Sequence, residues 1–579
     1  MRRRVLALGV AEPHRRLAAV LAVAAAGALI AAPVAAQGPA PEQTARAAQR
    51  NFESLRRESL PWTGGGGGGG GRCDARIGRY CYWHGTAPDT APPEPPAVLR
   101  ARARLLGALD SAAQLAPGND WIAGQRVRYW IEAGHPDSAA ATVSPCAATA
   151  WWCDALRGLA LHEAGNDAGA LQAFDAALAE MPHPQQCRWT DLQVLLDDPL
   201  AARYSRVGCD DRAPLNARLW WLAQPFYALG PNDLRAEHFS RLTMAAIAKQ
   251  SVWPETASWG DDLQELFVRY GWPRWFERER PDMLSDGGYA IMGHDPQPSF
   301  AWFPNGRLLD SAYTARADDW DLDAPHARSR YAPPTARAIE PVRALLSRFR
   351  RGDSQVVVAA YDVRGDSVLG RAPRRAALAV AVDERQIFVA GPDSAGTTGS
   401  LTVTVPAKPA LASVELFGGD GVAAGRMRRG LAPLTLPGDG IAVSDILLFS
   451  AEGPLPTTLD QAATTAVADV DASGDGRLGL YWEVYGTLNA GTALHVSLTI
   501  DRTGVGWWER ARRALHLGGS DAPIALRWED AARPGATALS RSVAVDLSRL
   551  DGGSYTVRLQ VEVAGRSAVG VERRLEIRR

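Results

Sequence analysis

The spacing of apolar residues changes partway along the chain, and that change constrains the fold more than any other feature. Up to about Gly230 apolar residues recur at helical spacing. Beyond Gln355 they fall in short runs, alternating or continuous, cut by Gly, Asp and Pro. A period near 3.6 lays one stripe along a helix, whereas a period of 2 fills one face of a strand. Leu105, Leu106 and Leu109 open one helix; Trp121, Val127, Tyr129 and Ile131 mark another that stops before Gly134. Gln355–Tyr361, Ala376–Val382, Gln386–Ala390, Leu401–Val405 and Ser413–Phe417 predict an antiparallel sandwich closed by Ile446–Phe449. Leu478–Val484, Ala493–Ile500, Ile524–Trp528, Ser542–Leu547, Tyr555–Val563 and Val571–Ile577 predict a second.

Residues 1–36 read as a signal peptide. Arg2–Arg4 and Arg15–Arg16 precede the apolar run Leu17–Ala32, and small residues follow up to Gln37. The run is short of the roughly 20 residues a membrane span needs, and no later segment is long and apolar enough. Cleavage after Ala36 leaves Gln37, not Cys, so lipid attachment is not expected. The reading is therefore an exported protein, periplasmic or extracellular. Losing five Arg and one Glu with the leader takes the net charge from −1 to −5. No block of like charge stands out, which argues against nucleic-acid or anionic-membrane partners.

All six cysteines precede residue 210, so the C-terminal half must rely on core packing. They lie in neighbouring pairs that each close a short loop, and the expected bridges are Cys73–Cys81, Cys146–Cys153 and Cys187–Cys209. There is no CxxC, and His84, His162 and His183 do not repeat at ligand spacing, so neither a metal nor a cofactor is expected. Residues 37–97 are expected to be a poorly ordered linker, with the glycine tract Gly64–Gly71 and Pro92, Pro93, Pro95 and Pro96. Within it Cys73–Trp83 reads as a disulfide-closed loop with exposed aromatics, a local clip or a docking element.

In residues 98–230, Gly158, Leu161, Ala170, Phe174, Ala177 and Pro182 resemble the tetratricopeptide repeat, whose small residues let two helices approach. Glu132-Ala-Gly134 and Glu163-Ala-Gly165 read as the same inter-helix turn used twice. A repeat module and a plain Ala-rich helical hairpin domain both fit. Asp233–Ala248 predicts an amphipathic helix, and Leu266–Tyr270, stopped by Gly271 and Pro273, predicts a strand.

Here the chain resembles the GWxTD-motif domain of exported bacterial proteins. Trp259, Asp262, Tyr270, Gly271 and Pro273 match its Gly-Trp-x-Thr-Asp and Tyr-Gly-Pro-Pro elements without a gap. Glu237-His-Phe-Ser-Arg241 resembles the helix before the motif, and Phe300-Ala-Trp302 the strand after it. Ser258, Asp261 and Trp272 depart from the pattern. The segments Leu478–Gly486 and Asp551–Leu559 are similar to the β-domain that often follows. The resemblance implies a domain of no established activity.

The expected architecture is multidomain α+β. A helical, tetratricopeptide-like domain (98–230) leads to a small GWxTD-like α/β domain (231–345) and two antiparallel β-sandwiches (346–455 and 456–579).

Asp261, Asp262 and Glu265 beside Trp259 are the candidate acid–base set, since neighbouring carboxylates can split their pKa values. The plainer reading makes Asp262 order a turn while Trp259 fills the core. Trp259, Tyr270 and Trp272 are candidate binding residues. Trp253, Trp259, Trp272, Trp275 and Trp302 are part of an unusually large set of nineteen tryptophans, which suits core filling or an aromatic groove. Asp471–Leu478 resembles half a calcium loop, but Trp482 stands where the closing Glu belongs. The two Arg-Gly-Asp tripeptides at 351 and 364 suit hairpin turns. His84, His238 and His294 lack a nucleophile context, and the glycine tract lacks a phosphate loop's ending.

The leading expectation is a non-enzymatic scaffold of the cell envelope with a protein partner. The alternatives are an envelope hydrolase acting on polysaccharide or peptide, and a carbohydrate-binding protein.

Overall fold

The computed structural model describes residues 40–62, 73–84, 91–255, 258–279, 290–295, 297–371, 375–419, 421, 423–436, 440–468, 470–471, 476–486, 492–503, 524–531, 538–548 and 550–578. The leader, the glycine tract and the middle of the Asp471–Leu478 loop lie outside them. Among the described residues the chain is multidomain α+β, helical first and then built of mostly antiparallel sheets.

The helical half holds α1 (Pro41–Glu58), α2 (Pro96–Leu115), α3 (Asp120–Glu132), α4 (Pro136–Val143), α5 (Ala150–Glu163) and α6 (Asp167–Glu180). It continues with α7 (His183–Trp189), α8 (Asp198–Tyr204), α9 (Ala213–Ala223), α10 (Asp233–Lys249) and α11 (Asp261–Tyr270). The Glu-Ala-Gly turns after α3 and α5 share one geometry. Gly134 and Gly165 take φ of 76° and 78°, and the next amide bonds back to Trp130 or Leu161. This six-to-one bond with a left-handed glycine is how helices commonly stop. Against Gly158 the α6 ring of Phe174 lies so close that an added Cβ would sit 2.5 Å from it. All three sequential disulfides form.

Helix α1 corrects the expectation of a poorly ordered linker. Its buried positions are Ala45, Gln49, Phe52, Glu53 and Arg56. Their spacing is helical, but three of the five are polar, so a search for apolar stripes passes over it. Each polar group finds a partner on α3. Gln49 donates to Gln125 at 2.6 Å, Arg56 to Glu132 at 2.8 Å, and Glu53 accepts from the Tyr129 hydroxyl at 2.7 Å. Arg128, fully buried, bonds both Glu53 and Glu132 and lies 4.0 Å from the centre of the Trp253 ring. Burial opposes the charge on Glu132, yet Arg128 and Arg56 hold its carboxyl down at about 2.

Two short hairpins belong to this half. One is β1 (Ala75–Ile77) with β2 (Tyr80–Tyr82); the other is β3 (Trp275–Glu279) with β4 (Ala290–His294). The first sandwich then uses β5 (Ala338–Pro341), β6 (Arg343–Arg351), β7 (Ser354–Asp362), β8 (Arg375–Ala381) and β9 (Ile387–Ala390). It is completed by β10 (Thr398–Pro406), β11 (Ala410–Phe417) and β12 (Ala423–Leu431). The strand orders are β10-β7-β6 and β5-β12-β11-β8-β9, enclosing Leu346, Val357, Leu378, Val403, Val414 and Leu416.

The second sandwich uses β13 (Ala442–Val443), β14 (Leu447–Ser450), β15 (Val470–Asp471), β16 (Arg477–Tyr485), β17 (Ala493–Arg502) and β18 (Ile524–Ala531). The remaining strands are β19 (Ala538–Asp546), β20 (Gly553–Val563) and β21 (Val569–Arg578), with α12 (Leu459–Thr464) between β14 and β15. Strand β16 pairs with β13, β14 and β19, and the facing order is β15-β21-β20-β17-β18.

Strand β14 corrects a second expectation. Ile446–Phe449 does not close the first sandwich, because Leu447–Ser450 pairs with Leu478–Tyr481 of β16.

Charged side chains join these bodies where surfaces meet, buried at Glu415, Arg426, Arg428 and Glu483 and more open at Arg348, Arg351 and Asp445. Glu415 of β11 accepts from the Tyr227 and Ala228 amides at 2.9 Å. Arg426 and Arg428 of β12 reach the carbonyls of Leu222, Gln224 and Pro225. Between the sandwiches, Arg348 grips Asp445, and Arg351 grips Glu483, which also accepts from Tyr481 and Tyr485. Gly352, at φ 61°, makes the β6–β7 turn, so the first Arg-Gly-Asp is a hairpin whose arginine is already paired.

Candidate functional site: a docked hairpin over a buried charge network

The motif-like residues lie on α11, and α11 is a helix where a strand was expected. Leu263, Leu266, Phe267 and Tyr270 recur at i, i+3, i+4 and i+7, which is helical spacing. Asp261 and Asp262 occupy the first turn, where acidic side chains favour the helix dipole. Gly271 ends it at φ 87°. The β-branched and aromatic character of the last turn misleads because it is read apart from the residues before it.

Helix α10 holds the end of α11. Arg241 donates to the Arg269 carbonyl at 3.0 Å, a cation placed at the negative end of the helix, where the Arg330 amide donates to the same oxygen. Its guanidinium is in turn held by Glu237 at 2.5 Å. Glu237 also contacts Nε2 of His162 at 2.7 Å, while Nδ1 meets Asp167 at 2.6 Å. Burial works against charge on this ring, but the bonds to Asp167 and Glu237 outweigh it and raise His162 to about 10. Burial, with Asp167 nearby, pushes Asp233 up to about 7 although the Tyr331 hydroxyl donates to it at 3.1 Å. Next to Glu237 on α10, His238 is pushed down to about 3 by burial and then by Arg241 and Arg235. The space beside it, between Leu195, Trp220, Arg241 and Ser329, has no room for a water molecule. The chain of bonds from Asp167 through His162, Glu237 and Arg241 to the Arg269 carbonyl is an ionic joint between α5, α6, α10 and α11.

The outer side of α11 carries the β1–β2 hairpin, closed by Cys73–Cys81. Arg79 grips the Asp262 carboxylate with Nε at 2.7 Å and Nη2 at 2.9 Å, and Nη2 also donates to the Ser258 carbonyl. Gly78, at φ 52°, must be glycine, since a Cβ there would lie 2.6 Å from the Asp262 Cβ. Tyr82 stacks on Tyr270 with centroids 3.7 Å apart and planes 1° from parallel. His326 contacts the Asp74 carbonyl at 2.9 Å. The hairpin aromatics Tyr80, Tyr82 and Trp83 are thus half-buried, where exposed rings were expected.

Each candidate residue now has a place. Arg79 holds Asp262 well below the usual carboxylate range. Glu265 pairs with Arg269 at 3.1 Å, and Asp261 is exposed. The three carboxylates therefore do not form a proton-sharing set. Trp259 packs edge-on against Phe267 and is partly buried. Trp272 is 4% exposed and Tyr270 8%, so neither offers a free surface. Trp253, Trp275 and Trp302 are core residues as well.

Sequence reasoning missed Arg79, Tyr82, His162 and Asp233, because their partners lie far away along the chain. The signal that was available is Gly78-Arg79 inside a disulfide loop. Glu255 was missed too; burial raises its carboxyl to about 7, and its buried Oε2 has no hydrogen-bond partner among the described residues.

Among the described residues no helix is long and apolar enough to cross a membrane. No protein-family model and no curated protein matches the sequence. Of the solved structures, a red sea bream transglutaminase is 11% identical over 41% of this chain and 31% of its own, at a TM-score of 0.13. A "Putative membrane anchored protein" from Corynebacterium diphtheriae is 8% identical over 43% of this chain and 56% of its own, at a TM-score of 0.14. The chain thus spans about a third and just over half of the lengths of those two structures.

Proposed function

We propose that this is an exported, non-enzymatic scaffold of the cell envelope that binds another protein, related to the GWxTD-motif proteins it resembles. The outer side of α11 is its docking face. The observation that supports this reading is the docked hairpin. A segment far upstream in sequence settles on α11 through a forked ion pair, a ring stack and a few hydrogen bonds, the kind of contact a separate polypeptide can supply. Arg79 is half exposed, so the pair is open to competition. Export is supported by the leader-like residues 1–36 and by three disulfides, which persist in oxidising compartments.

The test is site-specific photo-crosslinking in the native envelope, with the reactive group at the exposed position 261 of the full chain, which leaves Arg79 in place. A covalent adduct to one second polypeptide, absent when Asp262→Ala is added, is the expected result. Adducts only within the chain would refute the docking face. Mass spectrometry of the purified protein is expected to find Gln37 at its N-terminus; an intact leader would refute export by this route.

A further inference from the structure

We infer that reduction of Cys187–Cys209 turns His183, Cys187, Cys209 and Asp210 into a binding site for one thiophilic divalent cation, zinc foremost. Helix α7 places His183 and Cys187 one turn apart on the same face, and the 3₁₀ turn Cys209–Asp211 brings the other two residues against them. Among the described residues, His183, Cys187 and Cys209 are the group whose potential ligand atoms all lie within 4.8 Å of one another.

One ligand pair already has tetrahedral spacing, and side-chain rotation supplies the rest once the S–S bond is gone. Cys187 Sγ lies 3.6 Å from His183 Nε2. Bond lengths of about 2.3 Å to sulfur and 2.0–2.1 Å to nitrogen place those two ligands about 3.5 Å apart across a tetrahedral edge. The Cα atoms of the two cysteines are 5.6 Å apart, and rotation of their side chains opens the sulfurs to the wider spacing two thiolates need. Asp210 Oδ1 sits 2.7 Å from His183 Nε2, so a carboxylate already stands where the cation would enter. Two thiolates, an imidazole and a carboxylate form a donor set that suits zinc and not calcium or magnesium.

Access is open as well. The side chains of His183 and Asp210 are 63% and 81% exposed, and both cysteines are half-buried. The bridge is therefore partly open to solvent, within reach of a small dithiol, and accessibility favours exchange.

The chemistry balances with a dithiol as reductant. It supplies two electrons and two protons and closes to its own disulfide, while the Cys187–Cys209 bond breaks to give two thiols. The cation then displaces both thiol protons and forms two metal–sulfur bonds. His183 offers the Nε2 lone pair with its ring proton on Nδ1. Asp210, freed from its contact with Nε2, fills the fourth position. Binding therefore releases two protons per cation.

The test uses the full chain with cobalt(II) as a spectroscopic probe and zinc as competitor, before and after treatment with a dithiol that is then removed. The Cys187→Ser/Cys209→Ser variant controls for the other four cysteines. Reduced wild type is expected to bind one more equivalent than this variant, with the visible spectrum of tetrahedral cobalt, thiolate-to-metal charge transfer and two protons released. Oxidised wild type is expected to lack that equivalent. His183→Ala, which leaves the disulfide intact, is expected to weaken binding by about tenfold or more, since loss even of outer-shell partners costs about 10–100-fold. Equal stoichiometry in reduced wild type and the double serine variant would overturn the site. An unchanged affinity in His183→Ala would reduce it to chelation by two thiols, and so refute it. If the double variant does not fold, the His183→Ala comparison decides alone.

Discussion

The helical half and the β half are stabilised in different ways. The helical half buries Arg128, Glu53, Arg56, Glu237, His238 and Arg241 within its packing and carries all three disulfides. The second sandwich buries Leu480, Leu498, Val557, Leu559 and Val561, an apolar interior with no disulfide. Charge in the sandwiches sits mainly at their joints, at Glu415, Asp445 and Glu483. Buried charge matters through what happens when one partner is lost, whereas apolar burial counts methylene by methylene. The first half should therefore respond to reductant and to pH above neutrality, and the second to neither. The second responds on the acid side, where Asp445 and Asp362, held low against burial by Arg348 and Arg364, take up protons.

The largest effect is expected from Arg128→Met, which leaves Glu53 and Glu132 buried with less compensation. A loss of about 4 kcal/mol is expected, read by tryptophan fluorescence during denaturation. Fifteen of the nineteen tryptophans precede residue 330, so that signal reports the helical half. Leu559→Ala should cost about 3 kcal/mol in the second sandwich and leave the fluorescence transition nearly in place. A single shared transition for both variants would dissolve the contrast between the halves.

His162→Gln sharpens the contrast, at about 2 kcal/mol near neutral pH. The imidazole sits near 10 when folded against an ordinary 6.5, so its contribution is full below 6.5 and is lost as pH rises through 10. Asp233 acts in the same direction at lower pH. Its folded value near 7 against 3.8 means stability falls as pH rises between those values. Wild type should therefore lose helical-half stability between pH 6.5 and 10, and His162→Gln should flatten that slope. An unchanged slope would contradict the ionic joint. The smallest effect is expected from Tyr82→Leu, about 1 kcal/mol of lost ring stacking, confined to the hairpin and α11.

Much of the β half was legible because period-2 apolar runs such as Leu478–Val484 and Tyr555–Val563 are strands wherever they pack. Strand β12 was not, since Ala423–Leu431 buries Arg426 and Arg428 on carbonyls supplied by a loop two hundred residues earlier. Helix α1 was hidden for the same reason: Gln49, Glu53 and Arg56 look like surface until α3 is beside them. The repeated Glu-Ala-Gly turns were legible because a left-handed glycine is a local requirement. Asp262 was noticed as an acid, but its role depends on Arg79, and no local rule links positions 79 and 262. Local chemistry wrote the turns and the apolar strands; long-range pairing of charges wrote the candidate site.

The most direct test of the docked hairpin is hydrogen exchange, followed by mass spectrometry, on wild type and Asp262→Asn. The substitution keeps the side chain's shape and removes the charge that Arg79 grips. The expected result is faster exchange in residues 75–82 and in the first turn of α11, with β16, β17 and β20 unchanged. Unchanged exchange in 75–82 would mean that the Arg79–Asp262 pair does not hold the hairpin, and the docking face would fall with it.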